Sequence, residues 1–398
     1  MPSVSTARPI AREGATITEN LSPPKLVDTP RAFTDMMAAL DGERALALDT
    51  ESDSLYRYYY KVCLIQVSTR CADYLVDPLR LPDLMPLGAL LANPRVEKVF
   101  HAAENDILLL KRDFDFRFAC IFDTMLASRI LGRPRVSLAA LLSEHFGVQL
   151  NKRAQLTDWG HRPLSHEQLN YARLDSHYLL PLRDLLSERL RARRRWREAQ
   201  ESFLALPEIV PEEKSFDPDG FWRNKGARDL GQRELAILRE LYLWRDRQAR
   251  VMDRPPFKVL NDALLVRLSR EQPRQSGELP LNAAQTRRFG QEILAAIARG
   301  QAAPTPQFPA RLRSGNGRPD PKTMALYDRL RAWRTRRAAE RGVEPDVVLT
   351  NDVLMAIARA APSGLEELVA LGVLGTWKLE EYGTDLLAIV TAPAQAIV

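Results

Sequence analysis

Apolar and polar positions along the chain change rhythm part-way, and the change separates two kinds of architecture. Up to about residue 205, stretches with helical period alternate with short apolar runs that repeat every second position. That mixture predicts helices interleaved with strands. A helix is predicted over residues 32–40 and a strand over 44–51. Strands over 62–68 and 73–76 follow at short spacing, which predicts an antiparallel meander. Then come a helix over 84–91, a strand over 98–102 and a helix from 104 to about 111. Helical patterning resumes over 124–131 and 138–146 and runs unbroken from 165 to 206, where Ser165 and Gln168 form a capping box.

A segment rich in Pro, Glu and Asp, residues 207–219, closes this part of the chain. Beyond it the pattern is nearly all helical, and it repeats. Trp244-Arg245-x-Arg247-x-Ala249 returns as Trp333-Arg334-x-Arg336-x-Ala338, and Asn261-Asp262-Ala263-Leu264 as Asn351-Asp352-Val353-Leu354. Phe289-Gly290-x-x-Ile293-Leu294 returns as Tyr382-Gly383-x-x-Leu386-Leu387. Three ordered matches, with an offset drifting from 89 to 93 residues, predict two copies of one small helical domain. Residues 300–321 between them, rich in Pro, Arg and Gly, suit a linker.

Composition sets the outer limits. A chain of 398 residues exceeds one typical domain. With 45% hydrophobic and 27% charged residues it reads as an ordinary water-soluble protein. No apolar run reaches membrane-spanning length, and residues 1–22 lack the apolar core of a secretory leader, so a cytoplasmic protein with no membrane partner is expected. Cys63, Cys71 and Cys120 show no CxxC spacing and are odd in number, which argues against a sulfur metal site or a disulfide framework. The net charge of +6 permits an anionic partner without requiring one. Arg189, Arg191, Arg193, Arg194, Arg195 and Arg197 crowd one helical segment, either a solvated helix face or a track for phosphates.

The chemistry starts at Asp49 and Glu51, which end the run Ala45-Leu46-Ala47-Leu48. Strand side chains alternate, so both carboxylates share a face. Like charges held together are unfavourable unless a cation lies between them, and a divalent metal site is the simplest explanation. Asp106 falls in the first turn of a helix after the strand ending near Ala102, where the helix dipole alone would favour an acid. Asp175 shares a helix face with Tyr171, four residues earlier. Singly, each acid reads as a surface or capping residue; in this order they form a specific pattern.

These residues resemble the DEDD superfamily of 3′→5′ exonucleases. Asp49-Thr50-Glu51 stands as the first motif, His101-Ala102-Ala103-Glu104-Asn105-Asp106 as the second, and Tyr171-Ala172-Arg173-Leu174-Asp175 as the third. Tyrosine four residues before the last acid matches the DEDDy subgroup. The histidine of the DEDDh subgroup would stand where this chain has Asn170. Nearly the whole chain is similar to the ribonuclease D family, since the two C-terminal repeats resemble its HRDC (helicase and RNase D C-terminal) domains. Residues 150–159 are similar to that family's connection into the third motif, and residues 56–66 to the nuclease of the eukaryotic exosome.

The resemblance implies an α/β ribonuclease-H-like exonuclease domain, a mixed sheet with helices on both faces, over residues 20–206. Two small all-α HRDC domains would follow over 228–302 and 320–398. It implies a monomeric 3′→5′ exoribonuclease that works with two divalent ions, Mg²⁺ or Mn²⁺, and trims RNA with single-stranded 3′ ends, tRNA precursors among them. Oxygen-only ligands suit such hard cations, and two of them about 3.5–4 Å apart activate water and stabilise the leaving oxygen. In that scheme Asp49 bridges the ions, Glu51 and Asp175 hold the one that activates water, Asp106 supports the other, and Tyr171 orients the water. Tyr56, Tyr58, Lys152, Arg153 and Trp159 are the expected substrate contacts. A DNA exonuclease and a non-catalytic RNA-binding scaffold are the alternatives. For the helical repeats, Trp244 and Trp333 are expected in the core, and Arg245, Arg247, Arg334, Arg336 and Arg337 at phosphates.

Overall fold

The computed structural model describes residues 21–151, 153–211, 216–307 and 320–392. Its first part is a six-stranded mixed sheet in the order β1-β4-β3-β2-β5-β6. The strands are β1 (Lys25–Val27), β2 (Ala45–Ser52), β3 (Val62–Ser68), β4 (Asp73–Val76), β5 (Glu97–Phe100) and β6 (Ile121–Asp123). β2, β3 and β4 form the expected antiparallel meander, and β1, β5 and β6 add to it in parallel.

Alternation along β2 divides the hydrophobic core. Leu46 and Leu48 face helices α1 (Pro30–Leu40), α2 (Met85–Ala92) and α3 (Glu104–Phe114), where Met36, Leu40, Leu87, Leu91, Ile107 and Leu110 complete the packing. Ala47 faces the other side, with α4 (Thr124–Ile130), α7 (Leu179–Ala192) and α8 (Trp196–Leu204). Its small side chain lets the neighbouring leucines of that layer approach the strand. Burying both faces of a strand removes far more apolar area from water than burying one, at about 25 cal/mol per Å². Helix α1 illustrates local agreement with the sequence. Thr29 caps it by accepting a hydrogen bond from the Ala32 N–H at 3.2 Å, Pro30 opens its first turn, and Phe33, Met36 and Leu40 share its buried stripe.

Three features depart from the sequence expectation. The predicted strand 98–102 stops at Phe100, because Ala102 takes a left-handed backbone (φ +62°) that turns the chain into α3. The long helix predicted over 165–206 is three helices: α6 (His166–His177), α7 and α8. Pro181 explains the first break, since its ring would clash with the carbonyl of His177 in a continuous helix. Arg194, at φ +57°, makes the second. Strands β1 and β6 have only three residues each, too few to show a period.

Two helical units follow with the same layout. The first contains α9 (Gln232–Val251), α10 (Pro256–Val259), α11 (Asp262–Glu271) and α12 (Ala283–Ala302). The second repeats it with Pro321–Arg341, Pro345–Val348 and Asn351–Ala360, then Leu365–Ala370 and Thr376–Thr391. Trp244 stands edge-on to Phe289 (centroids 5.7 Å apart), as Trp333 does to Tyr382 (5.6 Å). Both tryptophans are core residues, as expected. Three of the five arginines expected at phosphates are engaged elsewhere, while Arg247 and Arg336 stay exposed. Arg245 and Arg334 are buried and donate to the carbonyls of Leu260 (2.9 Å) and Leu349 (2.8 Å). Arg337 is paired with Glu381 and Glu340. No helix among the described residues is long and apolar enough to cross a membrane.

Both units are bonded to the sheet domain. In the first, the Asp253 carboxylate accepts from the backbone N–H groups of Tyr58 and Tyr59, each at 3.1 Å, and the Tyr58 hydroxyl donates to Asp246 at 2.8 Å. In the second, buried Glu198 of α8 pairs with Arg341, whose carbonyl accepts from Arg195 at 2.6 Å. Glu201 accepts from the Trp377 N–H at 2.6 Å, capping the helix Thr376–Thr391.

Candidate active site

β5 pairs with β2 only through Ala45, Ala47 and the residue between them. β2 continues five residues further with β3 alone beside it, and this overhang carries Asp49 and Glu51. Both extend the face of Ala45 and Ala47, on which α6 lies.

Helix α6 is capped at its start and held by polar contacts to β3, β4 and the chain before β1. Ser165 and Gln168 form the expected capping box, the Gln168 N–H donating to Ser165 Oγ at 3.2 Å and the Ser165 N–H to Gln168 Oε1 at 2.9 Å. The Ser176 and Ser68 hydroxyls meet at 2.8 Å, His177 Nδ1 lies 2.8 Å from Asp73, and Arg173 donates to the Ser22 carbonyl at 2.6 Å. Held this way, α6 directs Asp175 and Tyr171 toward the overhang of β2. One carboxylate oxygen from each of Asp49, Glu51 and Asp175 falls within 4.8 Å of the others, a grouping able to hold a metal ion.

Asp106 joins from α3. The start of that helix is set by Asp123, which does two jobs with one carboxylate. It accepts from the N–H groups of Ala102 (3.2 Å) and Ala103 (2.8 Å), fixing the left-handed turn. It also caps α4 through Met125 (2.7 Å) and Leu126 (3.0 Å). Nearby, the Thr124 hydroxyl donates to the Phe100 carbonyl, so its oxygen is left to accept from His101 Nδ1 at 2.9 Å. Burial keeps His101 below its ordinary proton affinity, and it is a hydrogen-bonded core histidine. Asp106 Oδ1 accepts from the Thr50 hydroxyl at 2.5 Å. Thr50, on the opposite face of β2 from the two acids, thus ties α3 to the strand.

Electrostatics at the site is that of crowded, buried carboxylates. Burial first, then the charges of Asp106, Asp175 and Glu51, hold Asp49 well above the usual carboxylate range. Glu51 is raised by burial and then by Asp175 and Asp106. Burial pushes Asp106 up to about 7 against the lowering hydrogen bond from Thr50. Asp175 is likewise pushed up to about 7 by burial, with the Tyr171 hydroxyl working in the opposite direction. Tyr171 itself is raised by burial and by the Asp175 charge, so its phenol keeps its proton. A divalent cation reverses this balance, because it favours the ionised form of every carboxylate around it. The donor set is all oxygen, which fits Mg²⁺ or Mn²⁺.

The remaining sequence-predicted contacts fall in different places. Tyr56 donates its hydroxyl to the Leu156 carbonyl at 2.8 Å, and Lys258 of α10 sits 3.5 Å from its ring centroid. Tyr58 is held by Asp246 and Arg250 of α9, so its hydroxyl belongs to the contact with the first helical unit. Arg153 is exposed, and Lys152 lies outside the described residues. Trp159 is a correction: only 1% exposed, it packs with Cys63, Leu64, Leu75 and Ala172 and cannot meet a nucleic-acid strand. Its ring lies 6.2 Å from that of Tyr171, tilted by 40°. Sequence reasoning passed over Thr50, Ser68, Ser176 and Gln66, whose places depend on register and helix docking. Thr50, between two acids, was the one residue of these that the motif itself marked.

Comparison with known proteins gives a consistent result. Residues 24–191 match the 3′–5′ exonuclease domain family, and residues 234–297 and 323–390 each match the HRDC domain family. A ribonuclease D of Gluconacetobacter diazotrophicus is 30% identical over 376 residues, 92% of either chain. The exosome complex component 10 homolog of Caenorhabditis elegans is 34% identical over 261 residues, 64% of this chain. This chain spans only 30% of the length of that nematode relative. Among solved structures, Escherichia coli RNase D, described as an exoribonuclease involved in structured RNA processing, aligns at a TM-score of 0.62 with 26% identity. The alignment covers 91% of this chain and all of that one.

Proposed function

The chain belongs to the ribonuclease D family of 3′→5′ exonucleases, and from that premise we propose that it hydrolyses RNA one nucleotide at a time from the 3′ end. The products are nucleoside 5′-monophosphates, and the substrates include the 3′ extensions of tRNA precursors. The observation that carries this reading is the meeting of Asp49, Glu51 and Asp175 at the overhang of β2, with Asp106 and Tyr171 beside them.

In this reading two divalent cations, Mg²⁺ or Mn²⁺, are held by Asp49, Glu51 and Asp175, with Asp106 supporting the second. When bound, they supply a deprotonated water at neutral pH and offset charge on the attacking and leaving oxygens. Everything else falls to the chain. Asp49, grouped with Glu51 and Asp175, would be a ligand for both cations. Tyr171 keeps its proton and orients the attacking water as a hydrogen-bond donor. Trp159 and the anchored α6 keep the phenol in line, because a misplacement of about 1 Å can cost a hundredfold in rate. Domain bounds of 20–206, 228–302 and 320–398 describe this division of labour.

The test uses a tRNA-like transcript with an unpaired 3′ tail, products resolved nucleotide by nucleotide. Shortening in steps of one, dependent on Mg²⁺ or Mn²⁺ and abolished by chelation, is expected. Asp49→Asn should lower turnover by at least about a thousandfold, with far-ultraviolet circular dichroism unchanged. Near-normal metal-dependent shortening by Asp49→Asn would falsify the assignment. A clearly faster rate on a matched 2′-deoxy oligonucleotide would replace RNA by DNA as the substrate, and equal rates would remove the preference for RNA.

A further inference from the structure

One buried polar side chain beside the acid cluster has no role in the scheme above. Gln66 lies in the middle of β3 and is 0% exposed. In the antiparallel ladder it stands directly opposite Asp49, on the shared face, and on its other side opposite Leu75 of β4. Side chains paired across antiparallel strands have Cβ atoms roughly 4.5–5.5 Å apart. Neither the amide nitrogen nor the amide oxygen of Gln66 has a hydrogen-bond partner among the described residues, and both are shielded from solvent. Native interiors rarely leave both ends of a buried amide unmatched, since each was stripped of water on folding. Its neighbours sharpen the contrast. Leu64, one step along the same face, packs in a hydrophobic cluster with Leu75 and Ala172, and Ser68, one step the other way, is bonded to Ser176. Of these three positions only Gln66 carries an unsatisfied amide, and it is the one paired with Asp49 of the cluster.

We propose that Gln66 is a positioning residue for Asp49: its amide N–H, fixed beneath the cluster by the strand register, orients the Asp49 carboxylate once that group is ionised. This rests on the nuclease reading. A carboxylate has about four acceptor sites, and a ligand that gives some to a cation still needs donors for the rest. Gln66 can supply such a donor without adding charge. A lysine there would compete with the cation for the carboxylates, and a serine would not reach across.

The experiment compares wild type with Gln66→Met and Gln66→Leu, which remove the amide and keep the strand apolar. Mn²⁺ binding is followed by the loss of the free-ion electron paramagnetic resonance signal, and melting is measured in chelator. Turnover on the tailed transcript is resolved into kcat and KM. Expected are metal-free melting temperatures at or above wild type, Mn²⁺ binding about tenfold weaker, kcat down about 10- to 100-fold and KM for RNA unchanged. Agreement between the two variants separates loss of the amide from a packing fault peculiar to one of them. If both variants bind Mn²⁺ as wild type does, or if they lose activity only by melting early, the positioning role is overturned and the nuclease reading stands. If Asp49→Asn in wild-type background leaves Mn²⁺ binding intact, the nuclease reading fails, and this role with it.

Discussion

The crowding of buried carboxylates has a consequence for stability that can be worked through at Asp175. In the unfolded chain its carboxyl titrates near 3.8, whereas burial beside the other acids pushes it up to about 7 in the fold. Each tenfold change in proton affinity corresponds to about 1.4 kcal/mol. The sign follows from which state holds more protons. Between pH 4 and 7 the folded protein keeps a proton that the unfolded chain has released, so stability falls as pH rises through that window. Above pH 7 the full penalty remains, at most about 4 kcal/mol for this group. The acids share their protons, so Asp175 carries only part of it, and about 2 kcal/mol is expected. Asn has the same shape without the charge. Metal-free Asp175→Asn should therefore melt about 4–8 °C above wild type at pH 8, since 1 kcal/mol moves a domain of this size by about 2–4 °C. By pH 4, where the unfolded chain also begins to hold the proton, the two should converge. The assay is scanning calorimetry in chelator at both pH values, repeated with Mn²⁺, which should restore wild type more than the variant. A variant that melts below wild type in chelator at pH 8 would show that the surroundings favour the ionised carboxylate, contrary to the reasoning.

Tyr171→Phe should lower kcat by about 10- to 100-fold while leaving KM for RNA and the fold unchanged, as expected for a group that orients water; an unchanged kcat on single-turnover measurement counts against that role. Glu198→Ala removes the partner of Arg341 inside the contact between α8 and the second helical unit, and loss of one member of a buried ion pair costs about 3–5 kcal/mol. Limited proteolysis should then cut between the two units far sooner than in wild type. Asp253→Ala leaves the Tyr58 and Tyr59 N–H groups without their acceptor and should destabilise the contact by about 1–3 kcal/mol, visible as faster amide exchange at those two residues.

How much of this the chain disclosed in advance depended on how local each signal was. Asp49 and Glu51 were legible because strand alternation is a property of adjacent residues, and Asp175 with Tyr171 because helical spacing is too. Their convergence was legible only through the resemblance, since it needs α6 docked on the face of β2. The meander was readable from three apolar runs, whereas β1 and β6 were too short to carry a period. Pro181 stood in plain view as the reason α6 stops at His177. The inward turn of the repeat arginines also had a signal: Leu241, Arg245 and Ala249 fall on one helical stripe, as do Leu330, Arg334 and Ala338, and all six are buried. Charge type outweighed position in that reading. Trp159 failed differently, because only the fold places it beside Tyr171. Gln66 gave no local signal at all; its meaning comes from a register of two strands.

The grip of Asp253 and Asp246 on the segment just after β2 bears on how shortened versions of this protein should be interpreted. That segment leaves the overhang within seven residues of Glu51, so a chain cut after the sheet domain loses an internal brace as well as its helical appendages. A weaker truncated enzyme would thus report a loosened catalytic wall as readily as a missing hold on RNA. Separating the two calls for point changes on outward faces of the helical units, with the brace left whole.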